Sequence, residues 1–183
     1  LAIIDTAVST LSDSAGYEAT KTKYGLSLSE NKSLYVNMMM NAEDAGDQKL
    51  ADKIKKDLLD AGYTEEDIEE QVNREVNKEI KDEVDIITAA DQYDYTDTES
   101  KKKFEDEIEK YVELKKRAGK TEKEALTAVK TKLTAHYKDL YQSGTAKEKN
   151  EIITRCNRFR YNGKAIYNGT EFKNWGKKKG SKS

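Results

Sequence analysis

Few side chains in this sequence are of a kind that drives reactions. His136 is the single histidine and Cys156 the single cysteine. One histidine cannot build a multi-histidine metal site, and no serine or cysteine motif points to it. His136 lies on an expected helix beside Tyr137 and one turn from Leu133, a context that favours a packed or half-exposed ring over a catalytic one. Cys156 has Arg155 and Arg158 as neighbours, cations that could lower a thiol pKa and make a nucleophile. It also continues the apolar face of Ile152 and Ile153, which favours a buried structural cysteine. Asp91, Asp94 and Asp97 put three carboxylates within seven residues, enough to attract a hard cation. An EF-hand wants acids at alternate positions, a central glycine and a terminal Glu, so a solvated loop with a helix cap is the simpler reading. The pairs Glu65-Glu66 and Glu69-Glu70 suit the start of a helix, where acids favour the dipole. No glycine-rich phosphate loop or His/Glu metal helix is present. These residues predict a protein that is not an enzyme, with no catalytic, cofactor-binding or metal-binding residue.

Binding chemistry is better represented. Residues 155–183 hold nine Lys/Arg (Arg155, Arg158, Arg160, Lys164, Lys173, Lys177, Lys178, Lys179, Lys182) against Glu171 alone, a net of +8, while residues 1–154 carry −10. Phe159, Tyr161, Tyr167, Phe172 and Trp175 are interleaved with these cations. Cations neutralise phosphates and aromatic rings stack on unpaired bases, so Arg155, Arg158, Arg160, Tyr161, Lys173, Trp175, Lys177, Lys178 and Lys179 form a candidate nucleic-acid or partner contact. Two other readings fit the same residues. The rings could dock the chain end on the helices, or the +8 segment could pack on the −10 body of a second copy. Docking is favoured over nucleic-acid contact. Met38, Met39 and Met40 could form an adaptable binding surface, but their helical spacing favours a core.

The elements that must position these groups are helices. Charged residues make up 37% of the chain and apolar ones 36%, with a net charge of only −2, a mixture that suits exposed helices rather than disorder. Proline is absent, where average usage would give about nine, so glycines and short polar loops must end the helices. A single cysteine excludes an internal disulfide. No apolar run approaches the ~20 residues of a membrane span. The sequence starts Leu-Ala-Ile-Ile-Asp, with neither Met nor a basic leader, and is expected to be a fragment or a processed product.

Two joints organise the helices. Ala61-Gly62-Tyr63-Thr64-Glu65-Glu66-Asp67 recurs 57 residues later as Ala118-Gly119-Lys120-Thr121-Glu122-Lys123-Glu124. In each, glycine supplies a left-handed residue after one helix, and threonine with an acid three positions on caps the next. Helices are expected over 1–15 (Ile3, Ile4, Val8, Leu11), 28–45 with a Ser27/Glu30 cap, 48–60, 65–90, 99–118, 122–142 (Leu126, Val129, Leu133, Tyr137, Leu140) and 146–158. Residues 18–27 read as a loop, as does the acidic, aromatic stretch Asp91 to Asp97. Ile68, Val72, Val76, Ile80, Val84 and Ile87 make a thin stripe that suits packing on one or two neighbours. Tyr161-Asn162-Gly163 and Tyr167-Asn168-Gly169 read as turns, with a short helix over Thr170 to Trp175 and a mobile tail. The expected fold is all-α, with seven to eight helices as αα-hairpins in an irregular bundle or short helical-repeat array. Residues 1–158 would form a helical domain with an internal repeat (about 50–90 and 107–147), followed by a basic, aromatic segment, 159–183.

Ala45-Gly46-Asp47, Leu59-Asp60-Ala61-Gly62 and Glu66-Asp67-Ile68 resemble helical segments in large uncharacterised proteins of tailed bacteriophages and Firmicute prophages. So does the ending, Tyr137-Lys138-Asp139-Leu140-Tyr141, then Tyr161-Asn162-Gly163 and Trp175-Gly176-Lys177. The resemblance covers residues 34–80 and 120–178 and supplies no catalytic residues. It implies the C-terminal part of a long virion-associated protein, a non-enzymatic structural or interaction module in the virion or the host bacterial cytoplasm. Its partners would be other virion proteins or copies of itself, with no membrane. The alternative is a nucleic-acid-binding accessory protein that contacts DNA or RNA through the basic segment.

Overall fold

The structure, a computed structural model, describes residues 14–24, 27–28 and 30–176. Among them the fold is all-α. Eight α-helices follow one another: α1 (Ser14–Tyr24), α2 (Lys32–Asp44), α3 (Gln48–Asp60), α4 (Glu65–Glu83), α5 (Ile86–Asp91), α6 (Thr98–Arg117), α7 (Glu122–Ser143) and α8 (Ala146–Arg158). A two-residue-per-strand hairpin, β1 (Arg160–Tyr161) with β2 (Lys164–Ala165), and a 3-10 turn (Glu171–Asn174) complete the chain. The chain divides into two compact units, 1–79 and 80–183.

Local chemistry sets the helix boundaries. Gly46, Gly62 and Gly119 have φ of 79°, 102° and 82°, the left-handed conformation that L side chains resist. Asp47 then accepts the Leu50 N–H at 3.1 Å and starts α3. Thr64 and Asp67 cap each other at the start of α4 (2.9 and 3.0 Å), and Thr121 and Glu124 do the same for α7 (3.2 and 3.1 Å). A third capping box, Thr145 with Glu148, starts α8.

In the first unit, α2 and α3 form an αα-hairpin about Gly46. Its core holds Tyr35, Val36, Leu50, Ile54 and Leu58, together with Met38, Met39 and Met40, all three of them buried. The methionines are therefore packing residues. The expected helix over 1–15 lies outside the described residues except at its end. The loop expected over 18–27 is corrected, because α1 runs through Gly16 to Tyr24. Its anchor is Tyr17, fully buried, which donates to Asp57 Oδ2 at 2.7 Å and meets the Tyr35 ring edge-on at 6.0 Å. Burial and the acidic partner push the Tyr17 phenol well above its ordinary pKa. That contact offsets the ~1 kcal/mol that a glycine costs inside a helix. A second correction places the start of α2 at Lys32 rather than 28, without a Ser27/Glu30 cap. The carbonyls that would extend it are occupied by side chains: Ser27 O accepts from Asn31 Nδ2 and Leu28 O from the Tyr63 hydroxyl.

The single helix expected over 65–90 is two helices. α4 ends at Glu83, and Asp85 caps α5 by accepting the Thr88 N–H at 3.0 Å. The Asp85 N–H is drawn instead to Glu107 Oε2 on α6, at 2.9 Å. Asp97 caps α6 by accepting the Glu99 N–H. In the second unit α6 and α7 form an αα-hairpin, and α5 and α8 pack against it. Phe104, Ile108, Val112, Val129, Leu133, Tyr137 and Cys156 line the core. Leu140 departs from the expected α7 stripe and is 44% exposed. Tyr161-Asn162-Gly163 is more than a turn: Asn162 (φ 51°) and Gly163 (φ 76°) join β1 to β2, with Arg160 opposite Ala165 and Tyr161 opposite Lys164. Two successive positive φ values are what a type I′ hairpin requires. The expected short helix after Thr170 is the 3-10 turn.

Candidate functional site

The residues that looked reactive in the sequence have structural work in the fold. Cys156 is fully buried, and burial pushes its thiol up to about 12 despite the adjacent Arg155 charge. His136 Nε2 lies 3.3 Å from Asp91 Oδ1, an oxygen that also accepts the Tyr137 hydroxyl at 2.7 Å. Asp94 accepts the Thr96 N–H at 2.9 Å and the Thr96 hydroxyl at 2.7 Å, which lowers its pKa, as do the nearby charges of Arg155 and Arg158. Asp97 is the α6 cap. The three aspartates thus hold three different sets of protein groups and do not converge.

The basic, aromatic segment splits into two sets of residues. The rings mostly turn inward. Phe159 is fully buried and stacks on Phe104, centroids 4.8 Å apart, with Tyr93 edge-on to both at 5.2 Å. Trp175 is buried and meets Phe172, Tyr167 and Tyr141 edge-on at 4.9, 5.9 and 6.2 Å. The Tyr167 hydroxyl bonds Thr134 Oγ1 at 2.7 Å, and Glu171 pairs with Lys130, whose ammonium lies 5.5 Å from the centre of the Tyr167 ring. Tyr161 is buried as well. These rings dock the chain end on α6 and α7 and have little face left for a ligand.

The cations divide too. Arg155 reaches from α8 to the carbonyls of Ala90 (3.1 Å) and Tyr93 (2.6 Å) at the end of α5. A cation belongs there, where the last carbonyls of a helix lack partners. The Tyr93 hydroxyl returns the contact, donating to the Arg158 carbonyl at 2.7 Å. Together these bonds clasp the loop after α5 to the end of α8. The clasp sets Tyr95 beneath Arg158, whose guanidinium carbon lies 3.7 Å from the ring centroid. Tyr95 remains 49% exposed. Among the described residues the Arg158 guanidinium has no ion pair. Arg160 Nη1 donates to its neighbours' carbonyls, Asn157 at 2.7 Å and Phe159 at 3.0 Å, and the residue is exposed.

These groups line a recess of about 390 Å³ formed by Tyr93, Tyr95, Lys101, Glu105, Arg158, Arg160 and Gly163. Glu105 is its one carboxylate, and Oε1 of that group already accepts the Asn162 N–H at 2.6 Å. A second open recess of about 480 Å³, lined by Lys147, Asn150, Glu151, Thr154, Arg155 and Arg158, shares Arg158 with the first.

The sequence-predicted contact set is therefore dispersed. Arg158 and Arg160 come together, Arg155 is turned to structural use, and Tyr161 and Trp175 are buried. Lys173 is exposed but lines neither recess, and Lys177, Lys178 and Lys179 lie outside the described residues. Sequence reasoning missed Tyr95, Lys101 and Lys147. The usable signal was Tyr95 itself, an aromatic in a loop of acids with no apolar partner at helical spacing. No helix among the described residues is long and apolar enough to cross a membrane. Comparison with models of protein families, with curated proteins and with solved structures finds no match for this chain.

Proposed function

We propose that this chain is a non-enzymatic interaction module that acts by assembling with other macromolecules. The observation that carries this reading is the division of labour in the second unit. Cys156, His136 and the three aspartates are engaged in packing and capping, whereas Arg158 and Arg160 at the end of α8 form no ion pair among the described residues. An unpaired charged rim on a rigid helical scaffold suits recognition. The helix-joint resemblance to phage proteins supports a place among virion-associated proteins, with other virion proteins or copies of this chain as partners. Sedimentation velocity over a wide concentration range tests the assembly reading. Growth of the sedimenting species with concentration, or on adding a candidate virion partner, is the expected result. A monomer under every such condition overturns it.

A further inference from the structure

We infer that the paired recesses about Arg158 form a track for single-stranded nucleic acid, with Tyr95 as the stacking ring. The inference rests on the reading of this chain as a binding module, but not on its self-assembly. Three observations combine. The first is the ring: Tyr95 is half exposed, and the Arg158 guanidinium at 3.7 Å holds its position. A planar cation over one face of a tyrosine fixes the ring, and an unpaired base can extend the stack on the ring's other face. The second is the charge. Lys101, Arg158 and Arg160 line the first recess and Lys147, Arg155 and Arg158 the second. Among the described residues, none of Lys101, Lys147, Arg158 and Arg160 has an ion pair. Lys102, beside Lys101 on α6, is by contrast paired with Asp106 at 2.8 Å.

The third observation is shape. Arg158 lines both recesses, so the two adjoin at its side chain. Two adjoining open recesses lined by cations fit a polyanion with regularly spaced charges. The exposed ring selects among polyanions, since a duplex keeps its base faces stacked and an acidic peptide brings no flat face. The acids present limit the strength of the site but leave it cationic. Glu105 is engaged by the Asn162 N–H and Asp94 by Thr96, while Glu151 lies between Lys147 and Arg155 on one face of α8. The site lies away from Trp175, the ring that the sequence singled out.

Fluorescence anisotropy of the full chain with labelled oligothymidylate and oligouridylate tests the inference, with duplex DNA and polyglutamate as competitors. Three results are expected. Single strands bind at low salt and weaken as salt rises. Tyr95→Ala weakens binding about tenfold with the salt dependence unchanged, as loss of a stacking ring should, and Tyr95→Phe restores it. Arg158→Ala weakens binding and lowers the salt slope by about one. Circular dichroism verifies that the variants fold. Absence of binding at low salt, equal binding by the Tyr95→Ala variant, or tighter binding of polyglutamate overturns the inference. If Lys177, Lys178 and Lys179 changed together to Ala abolish binding while Arg158→Ala does not, it is also overturned. None of these outcomes bears on concentration-dependent assembly, which sedimentation reads separately.

Discussion

Two of the ring-and-cation groupings in the second unit, Lys130 over Tyr167 and Arg158 over Tyr95, use similar side chains in opposite ways. Around Trp175, Lys130 lies over Tyr167 and is closed off by Glu171, the one acid of the C-terminal segment. Phe172 and Trp175 flank the Tyr167 ring, Tyr141 meets Trp175, and the polar ends are satisfied by Thr134 and by Gln142, which donates to the Trp175 carbonyl. Around Tyr95, Arg158 lies over the ring with no ion-pair partner among the described residues, and the ring is half exposed. The difference is one of completeness. A cation–ring contact that has its carboxylate and its apolar surround is a fastening, and one that lacks both remains available to a partner. Residue type and local spacing do not distinguish the two.

Substitutions can break this comparison from either side. Trp175→Ala should have the largest effect, about 3–5 kcal/mol lost from the second unit, as for other large buried aromatics. Hydrogen exchange should show the loss as faster exchange in α7; protection equal to wild type would mean that the Trp175 cluster is not a fastening. Arg155→Ala should follow, at about 1.5–3 kcal/mol, because it removes charge-assisted bonds to two carbonyls. Urea unfolding measures this, and a neutral outcome would remove the clasp from the account. Tyr95→Ala should cost less than about 1 kcal/mol, the range of an exposed cation–ring pair. A cost as large as that of Trp175→Ala would make the two groupings alike.

The smallest effect concerns pH. The Asp94 carboxyl is held below its ordinary range by Thr96 and the neighbouring arginine charges, so it contributes stability at neutral pH. That contribution should be lost as pH falls from the ordinary carboxylate range through the lowered value. Asp94→Asn should flatten the acid limb of a melting-temperature profile slightly. An unchanged limb would show that neither the Thr96 hydrogen bonds nor the arginine charges stabilise this carboxylate.

Much of the helical architecture was legible in the sequence because its determinants are local. A left-handed glycine and a threonine with an acid three positions later act within one turn, and Gly46, Gly62, Gly119, Asp47, Thr64 and Thr121 all do so as read. What was illegible depends on distant partners. α1 continues past Gly16 because Tyr17 finds Asp57, 40 residues away. The helix expected over 65–90 breaks because the Asp85 N–H finds Glu107. The candidate site is illegible for the same reason. Composition pointed to Trp175 and Tyr161, which the fold buries, whereas Tyr95 meets Arg158 only through the clasp. The inward use of the C-terminal rings was the favoured of the sequence readings, and the packing of Phe159, Tyr167, Phe172 and Trp175 agrees with it.

The clasp also bears on the order in which the chain folds. Its bonds join residues 62 and 65 positions apart and enclose the whole α6–α7 hairpin. Closing so long a loop costs more entropy than forming the hairpin inside it, so the clasp is expected to form late. Tyr95 and Arg158 meet only at that point. A growing or incompletely folded chain would present both residues without presenting the site, and binding there would report that the second unit is finished. Pulse-labelled exchange during refolding should find the α6 and α7 amides protected before the Arg155 contacts of the α5 end.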